Sequence, residues 1–390
     1  MKAVVILPTY NESENIQKLI PLLEEEIFPK VEKEIKNYEM AILVADDNSP
    51  DGTADEVKKL QKKWKNIELS SGPKKGLGAA YIRGMDYATK EMGADVVFEM
   101  DADGQHDPKK IPDFLKKINE GADMVIGTRY SDGGSIPANW PPQRKAFSIV
   151  ANLFVRLVFM KLSTHDWTGG YRALKKEVFL REKEELSKYN GYIFQISFLH
   201  KALRDGFKVA EVPFHFSDRT LGRSKIAPLG YIMDVLKFVI GTRMNEIVTG
   251  SFGKFLVVGG IGFVINFLVL KILSDNSHWD HSAANLVGAA IAIFSNYNFN
   301  NLWTFKENKI SGFVQYIWKL INFYLTSAFG VIFIQTGTIF LGDKFIGEGQ
   351  LHFFVAIKFY YIYFFIGTFL LLIWNYTIYN KFIWKKKATA

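Results

Sequence analysis

Short apolar runs alternate with longer amphipathic stretches along the first half of the chain. The apolar runs are rich in Val, Ile, Leu and Phe and end in Gly, Pro, Asn or Asp, which is typical of buried strands. Between them, apolar residues recur every three to four positions, which predicts helices. Strands are predicted at Val4–Leu7, Ala41–Ala45, Ile67–Ser70, Val96–Met100 and Met124–Gly127, and helices near Glu14–Ile27, Ala54–Lys63, Leu77–Met92 and Pro108–Asn119. This order predicts an α/β fold with a mainly parallel sheet covered by helices on both faces.

The second half has a different pattern, in which long apolar runs follow one another. A helix that spans a bilayer needs roughly 20 mostly apolar residues. Four runs meet this requirement, at about Phe252–Leu273, Ala283–Leu302, Ile317–Leu341 and Phe353–Tyr379. Their few charges lie near the ends, where lysine side chains can reach the membrane interface. We therefore predict a transmembrane domain with four helices over residues 251–390.

The charges are divided between the two halves in the same way. Residues 251–390 carry only 11 of the 48 basic and 5 of the 40 acidic residues. Basic residues occur in the loop Lys306–Gly312 and the tail Lys381–Lys387, whereas the connection Ser274–Ser282 has none. Because basic loops stay inside and four spans return the chain to one side, both termini and the soluble domain are expected to be cytoplasmic. The positive charge flanks the membrane, so it predicts no nucleic-acid partner.

The chain contains no cysteine. This excludes a disulfide framework, a thiolate metal site and a cysteine nucleophile. Absent cysteine with abundant Lys and Glu is compatible with a thermophilic source. No secretory signal is expected before the first strand, and we expect an integral protein of a prokaryotic plasma membrane.

Two acidic side chains directly follow the fourth predicted strand. Asp101 and Asp103 are two residues apart, so their side chains point to the same side. Ligands of open α/β sheets bind at the carboxyl ends of the strands. Two carboxylates with the amide oxygen of Gln105 suit an octahedral ion such as Mg²⁺ or Mn²⁺, whose other ligands are substrate phosphates. A lone Asp-x-Asp is also common in solvated loops, so the other strand ends must decide between the two interpretations.

Polar segments follow three further strands, at Pro8–Glu12, Asp46–Thr53 and Gly127–Tyr130. Since parallel strands end at one edge of a sheet, these segments predict a single cleft. Neither G-x-G-x-x-G nor G-x-x-x-x-G-K-[ST] occurs in the expected places, which excludes a Rossmann dinucleotide site and a P-loop. Tyr10 and Glu12 can face a base and a ribose, and Asp46 or Asp47 can accept N–H groups from the base. The same residue types also build turns and helix caps, so that alternative stays open.

These segments, taken in order, resemble the family 2 glycosyltransferases of the A-type nucleotide-sugar fold, and within them the dolichol-phosphate mannose synthases. The matching segments are Leu7–Glu12, Asp46–Thr53, Gly76–Ile82, Met100–Asp103, Gly127–Tyr130, Thr168–Arg172 and Glu211–Pro213, and they cover about residues 3–245. The membrane half resembles GtrA-like domains at Phe255–Gly260 and Asn296–Phe305. The resemblance implies an inverting transfer of mannose from GDP-mannose to dolichyl (polyisoprenyl) phosphate. The product would be dolichyl β-D-mannosyl phosphate, a lipid-linked sugar donor for protein glycosylation.

The resemblance also implies which residues bind the donor. They are Pro8, Tyr10, Glu12, Asp46, Asp47, Asp101, Ala102, Asp103, Gln105, Arg219, Ser224 and Lys225. Within this set, Asp101, Asp103 and Gln105 would hold the Mg²⁺ or Mn²⁺ ion. Family members often have Ser-His where this chain has Gln105-His106, and we expect His106 to be a polar neighbour rather than a ligand. The segment Ser217–Lys225 is either a loop that closes over the diphosphate or a solvated basic linker.

Acceptor-phosphate binding is implied for Arg129, Arg144 and Ser148, since arginine presents a planar fork of donors to phosphate oxygens. We expect Asp103 and Arg129 to act in catalysis. Asp166 precedes the Thr168–Arg172 segment at the position of a family aspartate. It either orients the acceptor or caps a turn.

Two basic amphipathic segments, about residues 144–162 and 226–250, predict helices that lie at the membrane surface. Helices that face a protein core give the same pattern. We accordingly expect a catalytic domain over residues 1–225 with the first helix inserted, followed by the second helix and a linker over residues 226–250. The expected partners are GDP-mannose, a polyisoprenyl phosphate and the lipid bilayer.

Three other functions are alternatives to this interpretation. A UDP-glucose-dependent polyisoprenyl-phosphate glucosyltransferase would use the same chemistry. A flippase or adaptor with a degenerate transferase domain is disfavoured by the intact Asp101 and Asp103 pair. A processive polysaccharide synthase normally has a Gln-x-x-Arg-Trp motif and spans on both sides of its catalytic domain, and this sequence has neither.

Overall fold

A seven-stranded sheet forms the centre of the first half. The computed structural model describes residues 1–189, 191–217, 229–273, 281–347, 349–352 and 356–385, and it consists of two compact units, Met1–Gly241 and Thr242–Ala390. The strands of the first unit are β1 (Lys2–Thr9), β2 (Glu39–Asp46), β3 (Ile67–Ser71), β4 (Val96–Glu99), β5 (Met124–Thr128), β6 (Arg172–Lys175) and β7 (Val209–Pro213). Their spatial order is β3-β2-β1-β4-β6-β5-β7. Only β6 runs antiparallel to its neighbours, which confirms the prediction of a mainly parallel sheet.

Helices cover the sheet on both faces. They are α1 (Ser13–Leu22), α2 (Phe28–Glu34), α3 (Thr53–Lys63), α4 (Leu77–Lys90), α5 (Ile111–Asn119), α6 (Pro142–Val158), α7 (Lys176–Leu186) and α8 (Gly191–Arg204). A further helix, α9 (Leu229–Thr249), begins in the first unit and ends in the second. The first predicted helix ended at Ile27, but a π-helical turn continues the helical path into α2. Phe28 and Val31 of α2 are buried, so the apolar face of this helix persists beyond the predicted end.

Consecutive residues of β1 belong to different cores. Val5 packs with α1, α3 and α5 on one face of the sheet, whereas Val4 and Ile6 pack with α4, α7 and α8 on the other face. Because side chains of a strand alternate between the two faces, a strand buried on both faces must be apolar throughout. This explains why β1 appears in the sequence as an uninterrupted apolar run.

The antiparallel strand β6 changes which segments meet at the carboxyl edge of the sheet. Arg172, the first residue of β6, pairs with Glu99, the last residue of β4. The segment that precedes β6 therefore lies at the same edge as the ends of the parallel strands. The sequence predicted that the segment after β5 lies at this edge with the others, and in the structure β6 lies between β4 and β5.

Helix α6 has one side that is buried and an opposite side on which apolar residues are exposed. Asn152 and Val155 are its buried residues. The exposed fraction of the side chains on the opposite side reaches 61% at Val150 and 57% at Leu157, and Phe147 and Leu153 are also exposed. The predicted segment extended to about residue 162, whereas the helix ends at Val158. Helix α6 thus packs Val155 into the hydrophobic core and exposes apolar residues on its opposite side.

The described residues of the second unit are mostly helical, with one small pair of antiparallel strands. Its elements are α10 (Ser251–Lys271), α11 (His281–Phe299), α12 (Phe313–Phe329), α13 (Thr336–Phe345), β8 (Gln350–His352), β9 (Ala356–Lys358) and α14 (Phe359–Ile378). Among the described residues, two helical stretches are long and apolar enough to cross a membrane, Ser251–Val269 and Phe313–Ile334. The other two predicted spans overlap α11 and α14, and the number of four spans stays a prediction.

Asn301 joins three parts of the second unit. Its Oδ1 accepts hydrogen bonds from the Ile310 amide (2.8 Å) and from Nε1 of Trp384 (2.9 Å), and its Nδ2 donates to the Ile310 carbonyl (3.1 Å). Asn301 and Trp384 are buried. The aromatic rings of Tyr297 and Phe305 pack against Trp384. One amide group thus links the end of α11, the following loop and the segment after α14.

We expect Asn301→Ala to destabilise the second unit by about 2–3 kcal/mol, because the buried partners of the amide lose their hydrogen bonds. The check is the melting temperature of the purified chain in detergent. Asn322→Ala is the matched control, since the Asn322 amide donates within its own helix to the Trp318 carbonyl. Equal melting temperatures for the two variants would contradict the role of Asn301.

Candidate active site

The ends of β1 and β2 are held together by hydrogen bonds that side chains make with each other and with the backbone. Asp46 accepts from the Thr9 hydroxyl (2.9 Å) and from the Ser49 amide (2.9 Å). The Ser49 hydroxyl in turn accepts from the amide of Asn11 (3.0 Å), whose φ of 61° is a left-handed conformation that asparagine tolerates. The Asp46 side chain therefore stabilises the turn after β2, in agreement with the alternative interpretation that these residues build turns.

Asp47 has a partner that the sequence did not reveal. Nη2 of Arg83, on α4, donates to Oδ1 of Asp47 (2.9 Å) and to the Asp46 carbonyl (3.2 Å). Asp47 is buried and Arg83 is partly buried. An arginine in an amphipathic helix gives no local signal for this pairing, because its partner lies 36 residues away.

Pro8, Tyr10 and Glu12 lie at the same edge of the sheet. Pro8 is the penultimate residue of β1 and pairs with Ala45 of β2. Tyr10 exposes 40% of its surface, and Nζ of Lys74 lies 3.2 Å from the centre of its ring. Oε2 of Glu12 accepts from the Asn15 amide (2.5 Å). The structure thus brings the predicted residues of the first two strand ends into one place.

The loop after β4 is organised around Asp101 and His106. The Tyr81 hydroxyl donates to Oδ1 of Asp101 (2.9 Å), and the Asp101 amide donates to Nδ1 of His106 (3.0 Å). Burial lowers the pKa of His106 to about 4, so the imidazole is neutral and Nδ1 can accept. The His106 ring also stacks on Tyr171 with centres 4.9 Å apart. Tyr81, on α4, is a partner of this loop that sequence reasoning did not identify.

The residues of this loop fit a hard divalent cation that shares its coordination with a substrate. Asp103 is buried and accepts from the Gln105 amide (3.1 Å). Nε2 of Gln105 donates to the Ser217 carbonyl (3.3 Å), which makes Oε1 the end of the amide that can face a cation. Within the described part of the chain, no cluster of three or more His, Asp or Glu side chains could hold a metal alone. Two carboxylates with substrate oxygens are a donor set that Mg²⁺ commonly uses.

A buried ion pair lies at the end of β5. Nε and Nη2 of Arg129 donate to the two carboxylate oxygens of Asp166 at 2.7 and 2.8 Å, and Asp166 is fully buried. Burial opposes its ionisation, but the Arg129 charge and hydrogen bonds from Arg129 and Gly169 hold the pKa of Asp166 below its ordinary value. Asp166 also accepts from the amides of Thr168 and Gly169. It therefore caps the turn and, in addition, orients Arg129.

The ion pair changes what Arg129 can offer a ligand. The sequence predicted that the planar set of N–H donors of Arg129 binds a phosphate, but Nε and Nη2 donate to Asp166 instead. Nη2 additionally donates to the Thr168 hydroxyl (2.9 Å). Nη1 has no hydrogen-bond partner among the residues that the structure describes. Arg129 can therefore offer a ligand the Nη1 end of its guanidinium, whose orientation is fixed by Asp166.

Arg144 and Ser148 both contact aromatic residues. The Arg144 guanidinium lies 3.7 Å from the centre of the Trp140 ring. The Ser148 hydroxyl and the Tyr130 hydroxyl are 2.5 Å apart. Trp140 also packs edge-on against Phe216, with centres 5.8 Å apart, and Phe216 lies beneath the Arg129 guanidinium. The aromatic rings that position these side chains gave no sequence signal of their own.

Glu211 holds the segment that carries Asp166. Its carboxylate accepts from the His165 amide (2.5 Å) and contacts Nδ1 of His165 (2.7 Å). Glu211 lies on β7, the edge strand beside β5. The Glu211–Pro213 segment that supported the resemblance therefore has a structural role.

Four further residues were predicted to bind the nucleotide-sugar donor, and the structure describes one of them. Ala102 is buried in the loop between Asp101 and Asp103. Arg219, Ser224 and Lys225 lie within residues 218–228, outside the described part of the chain. Their predicted contact with a diphosphate stays a prediction.

The fold and these strand-end groups define a glycosyltransferase of family 2. Residues 4–181 match the family described as Glycosyl transferase family 2, and residues 254–384 match the GtrA/DPMS transmembrane domain. The chain belongs to this family and combines its catalytic domain with a GtrA/DPMS transmembrane domain.

Three relatives show where the chain stands within the family. It is 40% identical over 231 residues to a polyprenol monophosphomannose synthase of Mycolicibacterium smegmatis, which covers 58% of this chain and 81% of the relative. It is 33% identical over 335 residues to a dolichol-phosphate mannosyltransferase of Pyrococcus furiosus, covering 85% and 88%. It is 36% identical over 236 residues to an undecaprenyl-phosphate mannosyltransferase of Micrococcus luteus, covering 58% and 88%.

Proposed function

We propose that this glycosyltransferase transfers mannose from GDP-mannose to a polyisoprenyl phosphate such as dolichyl phosphate, producing a β-linked mannosyl phosphate. The observation that carries the proposal is the placement of two kinds of charged group at one edge of the sheet. The carboxylates of Asp101 and Asp103 follow β4, and the Arg129–Asp166 pair follows β5. The names of the three relatives support mannose as the sugar and a polyprenyl phosphate as the acceptor.

The donor would lie across the ends of β1, β2 and β4. Tyr10 and Glu12 would face the nucleoside, with Asp46 and Asp47 shaping the adjoining loop. Asp101, Asp103 and Oε1 of Gln105 would hold Mg²⁺ or Mn²⁺ at the diphosphate. When bound, such an ion supplies Lewis-acid stabilisation of the departing diphosphate.

The acceptor needs no proton-abstracting residue. A phosphate monoester has a second pKa of about 6, so it is mostly dianionic at neutral pH and is already a nucleophile. Positioning and charge stabilisation then account for most of the rate. Arg129, Arg144 and Ser148 would bind the acceptor phosphate, while Arg219, Ser224 and Lys225 would bind the donor diphosphate. In-line attack by the acceptor would invert the anomeric centre of an α-linked donor.

The membrane arrangement is part of the proposal. The exposed apolar face of α6 supports a position at the membrane surface, where a basic amphipathic helix can bury that face in lipid. We propose a catalytic domain over residues 1–225, a second surface helix and linker over residues 226–250, and four spans over residues 251–390. The catalytic domain and both termini would be cytoplasmic, so that a soluble nucleotide sugar reaches the site.

The test is product formation by the purified full chain in detergent with a polyisoprenyl phosphate and labelled nucleotide sugars. We expect a labelled lipid from GDP-mannose in the presence of Mg²⁺ or Mn²⁺, and its loss when EDTA removes the ion. Adding either ion back in excess should restore it. Turnover of UDP-glucose without turnover of GDP-mannose would contradict the proposed donor.

A further inference from the structure

Asn152, on the buried side of α6, has an amide whose orientation is fixed by its partners. One end of the amide is 2.8 Å from the Trp167 amide nitrogen, which can only donate. The oxygen Oδ1 must therefore face Trp167. Nδ2 then donates to the Ser148 carbonyl (3.0 Å) and to the Thr168 hydroxyl oxygen (3.3 Å). Because a carbonyl can only accept, the Ser148 contact supports the same orientation.

The Thr168 hydroxyl oxygen consequently receives two hydrogen bonds. One comes from Nδ2 of Asn152 and the other from Nη2 of Arg129 (2.9 Å). Neither group can accept a hydrogen bond through these nitrogens. A hydroxyl oxygen has two acceptor positions and one proton, so both acceptor positions of Thr168 are filled. Its proton is left to donate, and it has no acceptor among the residues that the structure describes.

We propose that the Thr168 hydroxyl donates a hydrogen bond to the acceptor phosphate beside Nη1 of Arg129, and that Asn152 is the positioning residue that forces it to do so. The inference rests on the proposed function and adds two residues to the acceptor site. Thr168 is partly exposed, whereas Asn152 is 3% exposed. Thr168 can therefore meet a ligand directly, and Asn152 acts through it.

The arrangement also connects the acceptor site to α6. Asn152 lies on the same helix as the exposed apolar residues Val150 and Leu153, but on the opposite side. The helix that we place at the membrane surface thus supplies the group that sets the direction of the Thr168 proton. A phosphate at the membrane surface would meet a donor that is already oriented.

The test compares acceptor and donor KM values in four variants. Thr168→Val removes the hydroxyl but keeps the shape, and it should raise the KM for polyisoprenyl phosphate about tenfold or more, as expected for a lost hydrogen bond to a charged group. The KM for the nucleotide sugar should stay within about twofold of the wild-type value, since the same hydrogen bond does not contact the donor. Thr168→Ser keeps the hydroxyl and should behave as the wild type.

Asn152→Asp distinguishes this account from a merely structural role. An aspartate can still accept from Trp167, but its second oxygen can no longer donate to the Ser148 carbonyl and would instead accept the Thr168 proton, which turns the hydroxyl away from the ligand. Its effect on the acceptor KM should match that of Thr168→Val. Because both changes remove the same interaction, the double variant should be no worse than either single variant.

Four results would overturn the inference. The first is a wild-type acceptor KM in a folded Thr168→Val variant. The second is a change confined to the donor KM, which would place the hydroxyl at the donor diphosphate instead, and the third is additive effects in the double variant. The fourth is a wild type that turns over no polyisoprenyl phosphate, which would overturn the proposed function as well. If the wild type turns over polyisoprenyl phosphate normally and the Thr168→Val variant is unaffected, the inference is wrong but the proposed function stands.

Discussion

Asp103→Asn is expected to reduce mannosyl transfer by about 100- to 1000-fold while leaving the protein folded, a loss typical of removing one group that stabilises developing charge. Asp103 is buried in the loop after β4, and its carboxylate accepts from the Gln105 amide, which an asparagine oxygen can also do. The change therefore removes one negative charge without removing the turn. Weaker cation binding would follow, because a neutral amide is a poorer ligand than a carboxylate. The measurement is initial rate against Mg²⁺ concentration.

The matched control for this variant is Asp113→Asn. Asp113 is an exposed carboxylate on α5, paired with Lys110 and Lys116 at the surface. Asp113→Asn changes the net charge by the same amount as Asp103→Asn. Because Asp113 lies outside the site, the activity of this variant should stay near the wild-type value. A folded Asp103→Asn variant with the activity of Asp113→Asn would contradict the assignment of Asp103.

Asp166→Asn is expected to give the largest loss of stability, about 3–5 kcal/mol, because it leaves the buried Arg129 charge without its partner. For a domain of this size, this corresponds to a fall in melting temperature of about 10 °C. Activity should fall as well, since Arg129 loses the carboxylate that fixes its orientation. The measurement is the melting temperature of the full chain in detergent at pH 7.

The pH dependence identifies the charge as the cause. The pKa of Asp166 is lowered in the folded state from an ordinary value of 3.8, so its contribution is fully present above that pH. The contribution is lost as the pH falls through the lower value of the folded state. The melting-temperature difference between wild type and Asp166→Asn should therefore be constant from about pH 5 to pH 8 and shrink below about pH 4. If the melting-temperature difference is unchanged at pH 3, the loss of stability is caused by the altered shape of the side chain at position 166 and not by the lost charge of Asp166.

Local patterns were sufficient to predict β1 to β5 and the groups at their ends, but the parallel edge strand β7 was missed. β1, β2, β4 and β5 are buried on both faces, so their apolar runs carry a strong signal. The polar residues that interrupt those runs mark the edge where the site lies. The positions of Asp101 and Asp103 followed from this reasoning without any knowledge of distant contacts.

Strand β6 could not be predicted in the same way. It has only four residues, and its first residue, Arg172, is charged. Arg172 is nevertheless fully buried, with Nε 3.9 Å from the carboxylate of Glu99, which is also fully buried. A charged residue in a short segment predicts a surface position, and only the pairing of two distant residues reverses that expectation.

The same limitation applies to the arginines of the site. Arg83 and Arg129 are paired with carboxylates 36 and 37 residues away, respectively. Sequence reasoning identified Arg129 as a phosphate ligand but did not detect that Asp166 occupies its fork. It also left open which side of α6 faces the protein, because an amphipathic pattern gives the two sides but not their surroundings. Asn152 and Val155 are the buried residues of α6, so the side that carries them faces the protein.

The anomeric configuration of the product tests the central claim most directly, which is that the acceptor phosphate itself attacks the donor in a single in-line displacement. The experiment is an NMR measurement of the lipid formed by the full chain from GDP-mannose and a polyisoprenyl phosphate. A single in-line displacement on an α-linked donor predicts a β-mannosyl phosphate. An α-linked product, or no product from GDP-mannose, would contradict the account.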